Sequence, residues 1–367
     1  MKKEKNKFES ALKVQKGISQ PPQTNEEAIS NLYKKNYKLP SLDNLLNGII
    51  VGDRVMLSRA ITLIESSKAE HQEMAQKLIE KCLPMSGNSI RIGITGVPGA
   101  GKSTLIETFG NYLTDLGKKV AVLAIDPSSQ ISKGSILGDK TRMEKLSANP
   151  AAFIRPSPSE GTLGGVARKT RESMILCEAA GFDIIIIETV GVGQSETAAR
   201  SMVDFFLLLQ IAGAGDELQG IKRGIMEMAD AIFVNKAEGD NLKLAKIAAM
   251  EIKNALHLMP KSQSGWTTQV GLCSAIEKTG ISDIWKTVLD YVNFSKNNGY
   301  FLKTRHTQEV NRYHQAINDI LLNDFNNMSE IKNLNAKLAE SVYNSKISPY
   351  SAAQKIIESY YSFLKKS

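Results

Sequence analysis

The stretch IRIGITGVPGAGKSTLIETF, residues 90–109, determines the architecture of the chain. It opens with an apolar run typical of a buried strand, continues through a glycine-rich turn and ends with apolar residues at helical spacing. The turn from Gly96 to Ser103 matches the pattern G-x-x-x-x-G-K-S/T in full. A strand, this turn and a helix in direct succession predict a phosphate-binding loop at the edge of a parallel sheet.

The chemistry of the loop assigns a role to each part of this motif. Glycines let backbone N–H groups turn toward phosphate oxygens at the helix N-terminus. Lys102 is predicted to contact the β- and γ-phosphates, and Ser103 to ligate Mg²⁺. The alternative is a glycine-rich turn with an incidental lysine. The predicted nucleotide-binding residues of the loop are Gly96, Val97, Pro98, Gly99, Ala100, Gly101, Lys102, Ser103 and Thr104.

Further apolar runs predict the rest of the sheet. Helical segments lie between most of them, and this alternation favours an α/β P-loop NTPase fold, with a mainly parallel sheet, helices on both faces and helical extensions at both ends. The candidate strands are residues 90–95, 120–125, 184–187, 205–209, 231–235 and 269–274. The predicted division is 1–86 for an N-terminal helical extension (the order of 1–23 is left open), 87–290 for the nucleotide-binding domain and 291–367 for C-terminal helices.

Composition narrows the functional classes. Of the 367 residues, 42% are hydrophobic and 23% are charged, as in ordinary globular proteins. No apolar run approaches the about 18 residues of a membrane helix, and the net charge of +8 has lysine and glutamate interspersed, so neither a membrane nor a nucleic acid is expected as a partner. The three cysteines are scattered and no C-x-x-C occurs, which predicts a reducing, cytoplasmic location without disulfides.

Acidic residues follow two of the other predicted strands. In IIIIETVGVGQSE, residues 184–196, Glu188 comes directly after four isoleucines, and in LAIDPSS the acid Asp126 ends another strand. Asp139 follows in the next loop. Because ligands bind at the carboxyl ends of parallel strands, these three acids are predicted to gather beside the phosphate-binding loop and to hold Mg²⁺ and its waters.

Each acid also has a purely structural alternative. Glu188 could be a buried acid satisfied by threonine or backbone donors, Asp126 could initiate a turn before a proline, and Asp139 could belong to an ordinary Gly-Asp turn. The sequence favours the functional assignment. It makes these three acids catalytic together with Lys102, and it makes them metal ligands together with Ser103.

Two glycine-rich segments have the character of nucleotide switches. Gly191 and Gly193 supply backbone freedom, and Gln194 or Glu196 is placed to respond to the γ-phosphate. The stretch GAGDELQGIKRG, residues 213–224, again follows a strand and is the third switch candidate. A solvated connection is its alternative.

The stretch AIFVNKAEGD resembles the guanine-reading tetrapeptide N-K-x-D. The acid of that motif accepts hydrogen bonds from N1–H and the exocyclic amine of guanine, and adenine would leave it unpaired. Glutamate stands here where aspartate is usual, so GTP is predicted with somewhat weaker selectivity. The next strand ends in a turn predicted to offer backbone donors to guanine O6. The predicted base-site residues are Asn235, Lys236, Glu238, Ser274 and Ala275.

Together these motifs resemble one known family. The segments GVPGAGKST, AIDPSS, SKGSILGDKTRM, FIRPSPSEGTLGGVARKTRE, ETVGVGQSE and AGAGDELQGIKRGIMEMAD are similar to MeaB proteins, the bacterial relatives of the human methylmalonic aciduria type A protein. The family also carries an older label, ArgK, for a supposed lysine/arginine/ornithine transport kinase. The resemblance covers roughly residues 45–290. Two departures are Glu238, and Lys133 where the family often has glycine.

The resemblance implies a homodimeric GTPase that uses Mg²⁺ and converts GTP to GDP. It implies a chaperone for adenosylcobalamin-dependent methylmalonyl-CoA mutase or a related acyl-CoA mutase, which gates cofactor loading and protects or restores the mutase. It also implies that the C-terminal helices make the dimer and that a third switch with Gln219 and Lys222 couples to the mutase. No cobalamin-binding signature is present, so that cofactor is expected to belong to the partner.

Three other functions remain open from the sequence: an ATP-dependent kinase linked to lysine, arginine and ornithine transport, a metal-insertion GTPase, and a nucleotide-gated scaffold. Metal insertion is disfavoured because the chain lacks clusters of histidine or cysteine. No arginine occupies an obvious finger position, and Arg142, Arg155 and Arg223 are the candidates. Slow intrinsic turnover, accelerated when a partner reorders the switch loops, is therefore predicted.

Overall fold

The computed structural model describes residues 39–125, 143–156, 163–189, 194–213, 223–260 and 262–365. Seven parallel strands form one sheet in the order β3-β2-β4-β1-β5-β6-β7. The strands are β1 (Ile90–Gly96), β2 (Val120–Ile125), β3 (Ala152–Arg155), β4 (Ile184–Thr189), β5 (Phe205–Ile211), β6 (Ala231–Asn235) and β7 (Gln269–Leu272). The predicted fold class is confirmed, with helices on both faces of the sheet and at both ends of the chain.

The strand prediction missed β3 and misplaced several ends. β3 has only four residues and lies at the edge of the sheet, where it pairs with β2 alone, so it is too short for a periodic signal. β4 extends past the isoleucines through Thr189, which places Glu188 inside the strand, beside Ile94 of β1, rather than just beyond it. β7 ends at Leu272, two residues earlier than predicted.

Helices cover the sheet in chain order. They are α1 (Leu42–Ile50), α2 (Arg54–Glu65), α3 (Ala69–Cys82), α4 (Lys102–Asp115), α5 (Glu144–Ala148), α6 (Leu163–Ala179), α7 (Gln194–Arg200), α8 (Arg223–Met228), α9 (Asn241–His257), α10 (Ile281–Asn297), α11 (Tyr300–Asn327), α12 (Ser329–Tyr343) and α13 (Pro349–Leu364). Among the described residues, no helix combines the length and the apolar character needed to cross a lipid bilayer.

Each central strand is buried on both faces because helices pack on both. Alternate side chains of β1 and β5, such as Ile92 and Phe205, enter the cluster formed with α4 and α10. Phe206 points to the opposite face and joins the cluster formed with α1, α2, α3 and α6. Each such side chain contributes about 1.5–3 kcal/mol when fully buried. This two-sided burial explains why the strands read as unbroken apolar runs rather than alternating patterns.

The terminal helices begin at recognisable caps. Asp53 accepts hydrogen bonds from the backbone N–H groups of Val55 and Met56 at the start of α2. Ser348 accepts from the Ser351 N–H at 3.1 Å, and Pro349 occupies the first position of α13, as the Ser-Pro sequence predicts. The predicted division of the chain into three parts stays a prediction.

A buried charge cluster lies at the amino ends of the strands, opposite the phosphate-binding loop. Arg91 donates to Glu178 at 2.9 and 3.0 Å, and Ser89 and the Gly87 N–H donate to the same carboxylate. Burial by itself would raise the pKa of Glu178, but these donors outweigh burial and hold the pKa below its ordinary value. The ionised carboxylate therefore belongs to the folded state.

We expect Glu178→Gln to destabilise the fold at neutral pH by about 3 kcal/mol, because Arg91 keeps its buried charge and loses its partner. A lowered folded-state pKa contributes stability above the unfolded-state pKa of about 4.3 and loses it as pH falls through the folded-state value. Urea midpoints measured from pH 7 to pH 3 should therefore converge for wild type and variant at the acid end. An unchanged difference across that range would contradict the assignment. Glu73→Gln, at an exposed pair with Lys77, is the control and should change little.

Candidate functional site

The parallel register brings the predicted site residues to one edge of the sheet. Gly96 at the end of β1 lies beside Leu209 of β5, and Glu188 of β4 lies beside Ile94 of β1. Asn235 ends β6 beside Ile211 of β5. The phosphate-binding loop, the acid of β4 and the start of the base-reading motif therefore share the carboxyl edge, where α/β sheets bind ligands.

The phosphate-binding loop requires glycine at two crowded positions. Gly96 has a φ of +154°, and a Cβ there would lie 2.2 Å from the Leu209 carbonyl oxygen. Gly101 has a φ of +87°, and a Cβ there would lie 2.7 Å from Asn235 Nδ2. Close approach of backbone to backbone is thus built into the loop, as the motif predicts.

Lys102 is folded onto the carbonyl groups of its own loop. Its Nζ donates to Gly96 O at 2.8 Å and to Val97 O at 3.2 Å. Burial lowers the pKa of Lys102, while the carboxylates of Glu188 and Glu196 act in the opposite direction. The ammonium group therefore lies in a largely desolvated loop with two acids nearby, and a phosphate chain would offer it stronger acceptors than the two carbonyls do.

Ser103 and Glu188 meet at the start of α4. Ser103 Oγ donates to Glu188 Oε1 at 2.8 Å. A hydroxyl and a carboxylate are hard oxygen donors of the kind Mg²⁺ prefers, so both fit the predicted metal role. Among the described residues no group of three or more His, Cys, Asp or Glu is arranged to hold a metal ion. The other predicted ligands, Asp126 and Asp139, lie outside the described residues.

Helix α7 places a second acid behind the loop. Ser195 and Glu196 are buried in its first turn, and the charge of Glu196 acts on Lys102. Of the two residues predicted to respond to the γ-phosphate, Glu196 is therefore close to the phosphate-binding lysine. Gln194 begins α7, and its side chain is not described. The other predicted switch residues, Gly191, Gly193, Gln219 and Lys222, lie outside the described residues.

Asn235 ties the base-reading motif to the phosphate-binding loop. Its Nδ2 donates to the Ala100 carbonyl at 2.8 Å, and its Oδ1 accepts from the Ala275 N–H at 3.2 Å. The Cys273 thiol lies 3.6 Å from the same Oδ1, and burial raises the pKa of that thiol to about 12, which keeps it protonated and able to donate. One buried carboxamide thus holds three segments in register.

Glu238 presents an unsatisfied buried acceptor next to this carboxamide. Its Oε2 is buried and accepts no hydrogen bond from the described residues. An unpaired buried acceptor costs about 1–3 kcal/mol, so a native site that keeps one is expected to receive a donor from a ligand. The N1–H and exocyclic amine of guanine are donors of that kind. Lys236 is exposed with a φ of +57°, which turns the chain between the asparagine and the acid.

The Ser274–Ala275 turn is engaged within the protein. The Ser274 N–H donates to Thr279 O at 3.0 Å, and the Ala275 N–H is the one that Asn235 accepts. Thr108 of α4 donates to the Ala275 carbonyl at 2.9 Å and fixes the turn from the other side. Both predicted amide donors are occupied in this structure, so their assignment to guanine O6 stays a prediction.

Sequence reasoning missed three contributors to the site and one fixed arginine. The roles of Thr108 and Cys273, and the buried placement of Glu196, depend on contacts between distant segments and leave no local pattern. Arg155, one arginine-finger candidate, is bound to Glu65 and Thr62 of α2, with Nε 3.0 Å from Glu65 Oε1. That ion pair commits Arg155 to the N-terminal helices. Arg142 and the side chain of Arg223 lie outside the described part of the chain.

Comparison with known proteins gives one consistent result. A family model described as methylmalonyl Co-A mutase-associated GTPase MeaB matches residues 57–330. A probable GTPase of Mycobacterium tuberculosis is 48% identical over 318 residues, covering 87% of this chain and 95% of its own. GTPase ArgK of Escherichia coli is 45% identical, with 84% of this chain and 93% of its own covered.

A eukaryotic relative and a solved structure agree with these matches. The mouse methylmalonic aciduria type A homolog, described as mitochondrial, is 41% identical over 87% of this chain and 79% of its own. A crystal structure described as an LAO/AO transport system kinase superposes with a TM-score of 0.69 at 38% identity, covering 86% of this chain and 96% of that one. The similarity therefore extends across the sheet and most of the helices.

Proposed function

The chain belongs to the MeaB family of methylmalonyl Co-A mutase-associated GTPases, and from this premise we propose that it is a nucleotide-gated chaperone of an adenosylcobalamin-dependent acyl-CoA mutase. GTP hydrolysis is the chemistry of the family, and the relatives are named as GTPases. The proposed client is methylmalonyl-CoA mutase or a related enzyme. The protein would gate cofactor loading and protect or restore the mutase, while the cobalamin stays with the partner.

One observation carries the nucleotide part of this proposal. At one edge of the sheet a phosphate-binding lysine and a buried acceptor with no partner among the described residues, Lys102 and Glu238, are tied together by Asn235. A ligand with a phosphate chain at one end and two N–H donors at the other satisfies both groups. GTP and GDP have that form.

The proposed mechanism follows from phosphoryl-transfer chemistry, which needs positioning and charge neutralisation more than covalent catalysis. Lys102 would leave its loop carbonyls and donate to the β- and γ-phosphate oxygens, and the loop amides would donate alongside it. Mg²⁺, held by Ser103 and by water bound to Glu188, would supply further positive charge at the phosphates. Glu196 lies near enough to Lys102 to influence its charge, which makes α7 the described element best placed to respond to the γ-phosphate.

The C-terminal helices support a proposed homodimer. They carry large apolar side chains that are more than half exposed in the single chain: Val310, Tyr313, Ile320, Leu321, Leu322, Tyr343, Tyr350 and Tyr361. A second copy that covers them would remove a sizeable apolar surface from water, which favours association.

The experiment that tests the function is co-purification of the chain with purified B12-dependent mutases, in GDP and in a non-hydrolysable GTP analogue. We expect retention of one mutase to differ between the two nucleotides, and we expect that mutase to raise GTP turnover. A Glu238→Ala variant, which should no longer distinguish the guanine nucleotides, is the matched control. Equal retention in all conditions, with turnover unaffected by every mutase, would refute the chaperone proposal and leave the GTPase assignment standing.

A further inference from the structure

Helix α11 grips the segment that follows α7. The side-chain Nε2 of Gln308 donates to the Val203 carbonyl at 2.9 Å. Arg305, one turn earlier on α11, forms a two-pronged ion pair with Asp204, with both N–O distances at 2.7 Å. Paired bonds of this kind fix position as well as contribute energy. The chain just after α7 is therefore bound to the first half of α11.

Arg171 of α6 extends the same grip. Its guanidinium donates to Ser201 Oγ and to Gln315 Oε1 of α11, the latter at 2.8 Å. Burial, together with the charge of Arg312, lowers the pKa of Arg171, so the buried cation depends on the acceptors that it has. Arg171 thus joins α6, the end of α7 and α11 at one point.

The same part of α11 also holds the start of the strand that carries the phosphate-binding loop. Arg305 donates to the Gly87 and Ser89 carbonyls, which precede β1. Asp204, the partner of Arg305, accepts from the Arg91 N–H at 2.8 Å. A single helix therefore contacts both the chain leading into β1 and the chain leaving α7.

The distance from this grip to the reaction site is short. Glu196 and Ser201 are five positions apart at the two ends of α7, which corresponds to about 7–8 Å at 1.5 Å per residue. A helix transmits a shift of one end to the other because its backbone hydrogen bonds keep it rigid. The position of Glu196 beside Lys102 is then set in part by where Ser201, Val203 and Asp204 are held.

We propose that α11 positions α7 for GTP hydrolysis, so that a partner bound on the C-terminal helices changes the rate of turnover through residues 201–204. Arg171 and Gln308 are positioning residues in this scheme. The outer half of α11, with Ile320 and Leu321 more than half exposed, is the part on which such a partner acts. The proposal rests on the proposed function, because it takes α7 as the element that responds to the γ-phosphate.

The test uses the full-length chain and the double variant Arg171→Ala with Gln308→Ala. We expect kcat for GTP hydrolysis to fall five-fold or more, with KM and the Kd for GDP within two-fold of wild type. Hydrogen exchange in the GTP-analogue state should rise in residues 194–204 and stay unchanged in β1. The conservative variant Arg171→Lys, which keeps a donor, should recover part of the lost kcat. His306→Ala, an exposed change on the same turn of α11, is the control and should behave as wild type.

The outcomes separate this proposal from the function on which it rests. A double variant with the kcat of the wild type, or one that loses kcat, GDP affinity and thermal stability together, would overturn the positioning role of α11. So would an equal loss in His306→Ala. A wild-type chain that neither binds nor hydrolyses GTP would instead overturn the proposed function.

Discussion

Replacing Lys102 with alanine is expected to lower the rate of GTP hydrolysis by about 10²–10³-fold or more, the loss found when one preorganised donor to a developing charge is removed. Lys102 is the cation that the structure holds inside the phosphate-binding loop, on the Gly96 and Val97 carbonyls. Its removal takes away the positive charge that phosphate oxygens need there. Single-turnover hydrolysis of GTP, measured with enzyme in excess, reports this step without interference from product release.

The effect should be catalytic rather than structural. Lys102→Ala deletes a desolvated ammonium together with its two hydrogen bonds, so these terms oppose each other and the melting temperature should change little. Lys118→Ala, on the exposed turn after α4, is the matched control for a lost lysine near this helix. A Lys102→Ala variant that turns over GTP within two-fold of wild type would rule out the phosphate-binding role.

Replacing Glu238 with alanine is expected to weaken GDP binding by about 10²–10⁴-fold, since two charge-assisted hydrogen bonds of about 1.5–3 kcal/mol each are lost. ADP binding should change by less than about three-fold, because adenine offers that carboxylate no N1–H. The variant should therefore lose its preference for guanine rather than its affinity for nucleotides in general. Competition between fluorescent GDP and unlabelled GDP or ADP measures both constants in one format.

The control for this prediction is Glu277→Ala, an exposed acid in the neighbouring turn, which should leave both constants unchanged. The same titration discriminates the competing kinase function. Tighter binding of ADP than GDP by the wild-type chain would favour an ATP-dependent kinase, whereas a preference for GDP that Glu238→Ala abolishes supports the guanine site.

The parts of the site that lie within one short segment could be predicted from the sequence. The loop from Gly96 to Ser103 carries its strand, its turn and its helix in succession, so pattern and geometry agree. The base-reading motif was found for the same reason, and the orphaned oxygen of Glu238 fits its predicted role. The central strands were visible because burial on both faces leaves unbroken apolar runs.

What the sequence did not reveal depends on contacts between distant residues. Asn235 reaches back 135 positions to Ala100, and Arg305 reaches back 216 positions to Ser89, so no local pattern records either contact. The resting place of Lys102 on its own carbonyls follows from the folded loop and not from the motif. The edge strand β3 was missed because four residues with one neighbour carry little periodic signal.

The most direct test of the nucleotide site is a crystal structure of the chain with Mg²⁺ and a non-hydrolysable GTP analogue. The account predicts that Lys102 Nζ leaves the Gly96 and Val97 carbonyls for the β- and γ-phosphates, and that Ser103 and Glu188 face the metal ion. It also predicts that Glu238 Oε2 accepts from the guanine N1–H. An analogue bound elsewhere, with Lys102 still on its loop carbonyls and Glu238 still without a donor, would contradict it.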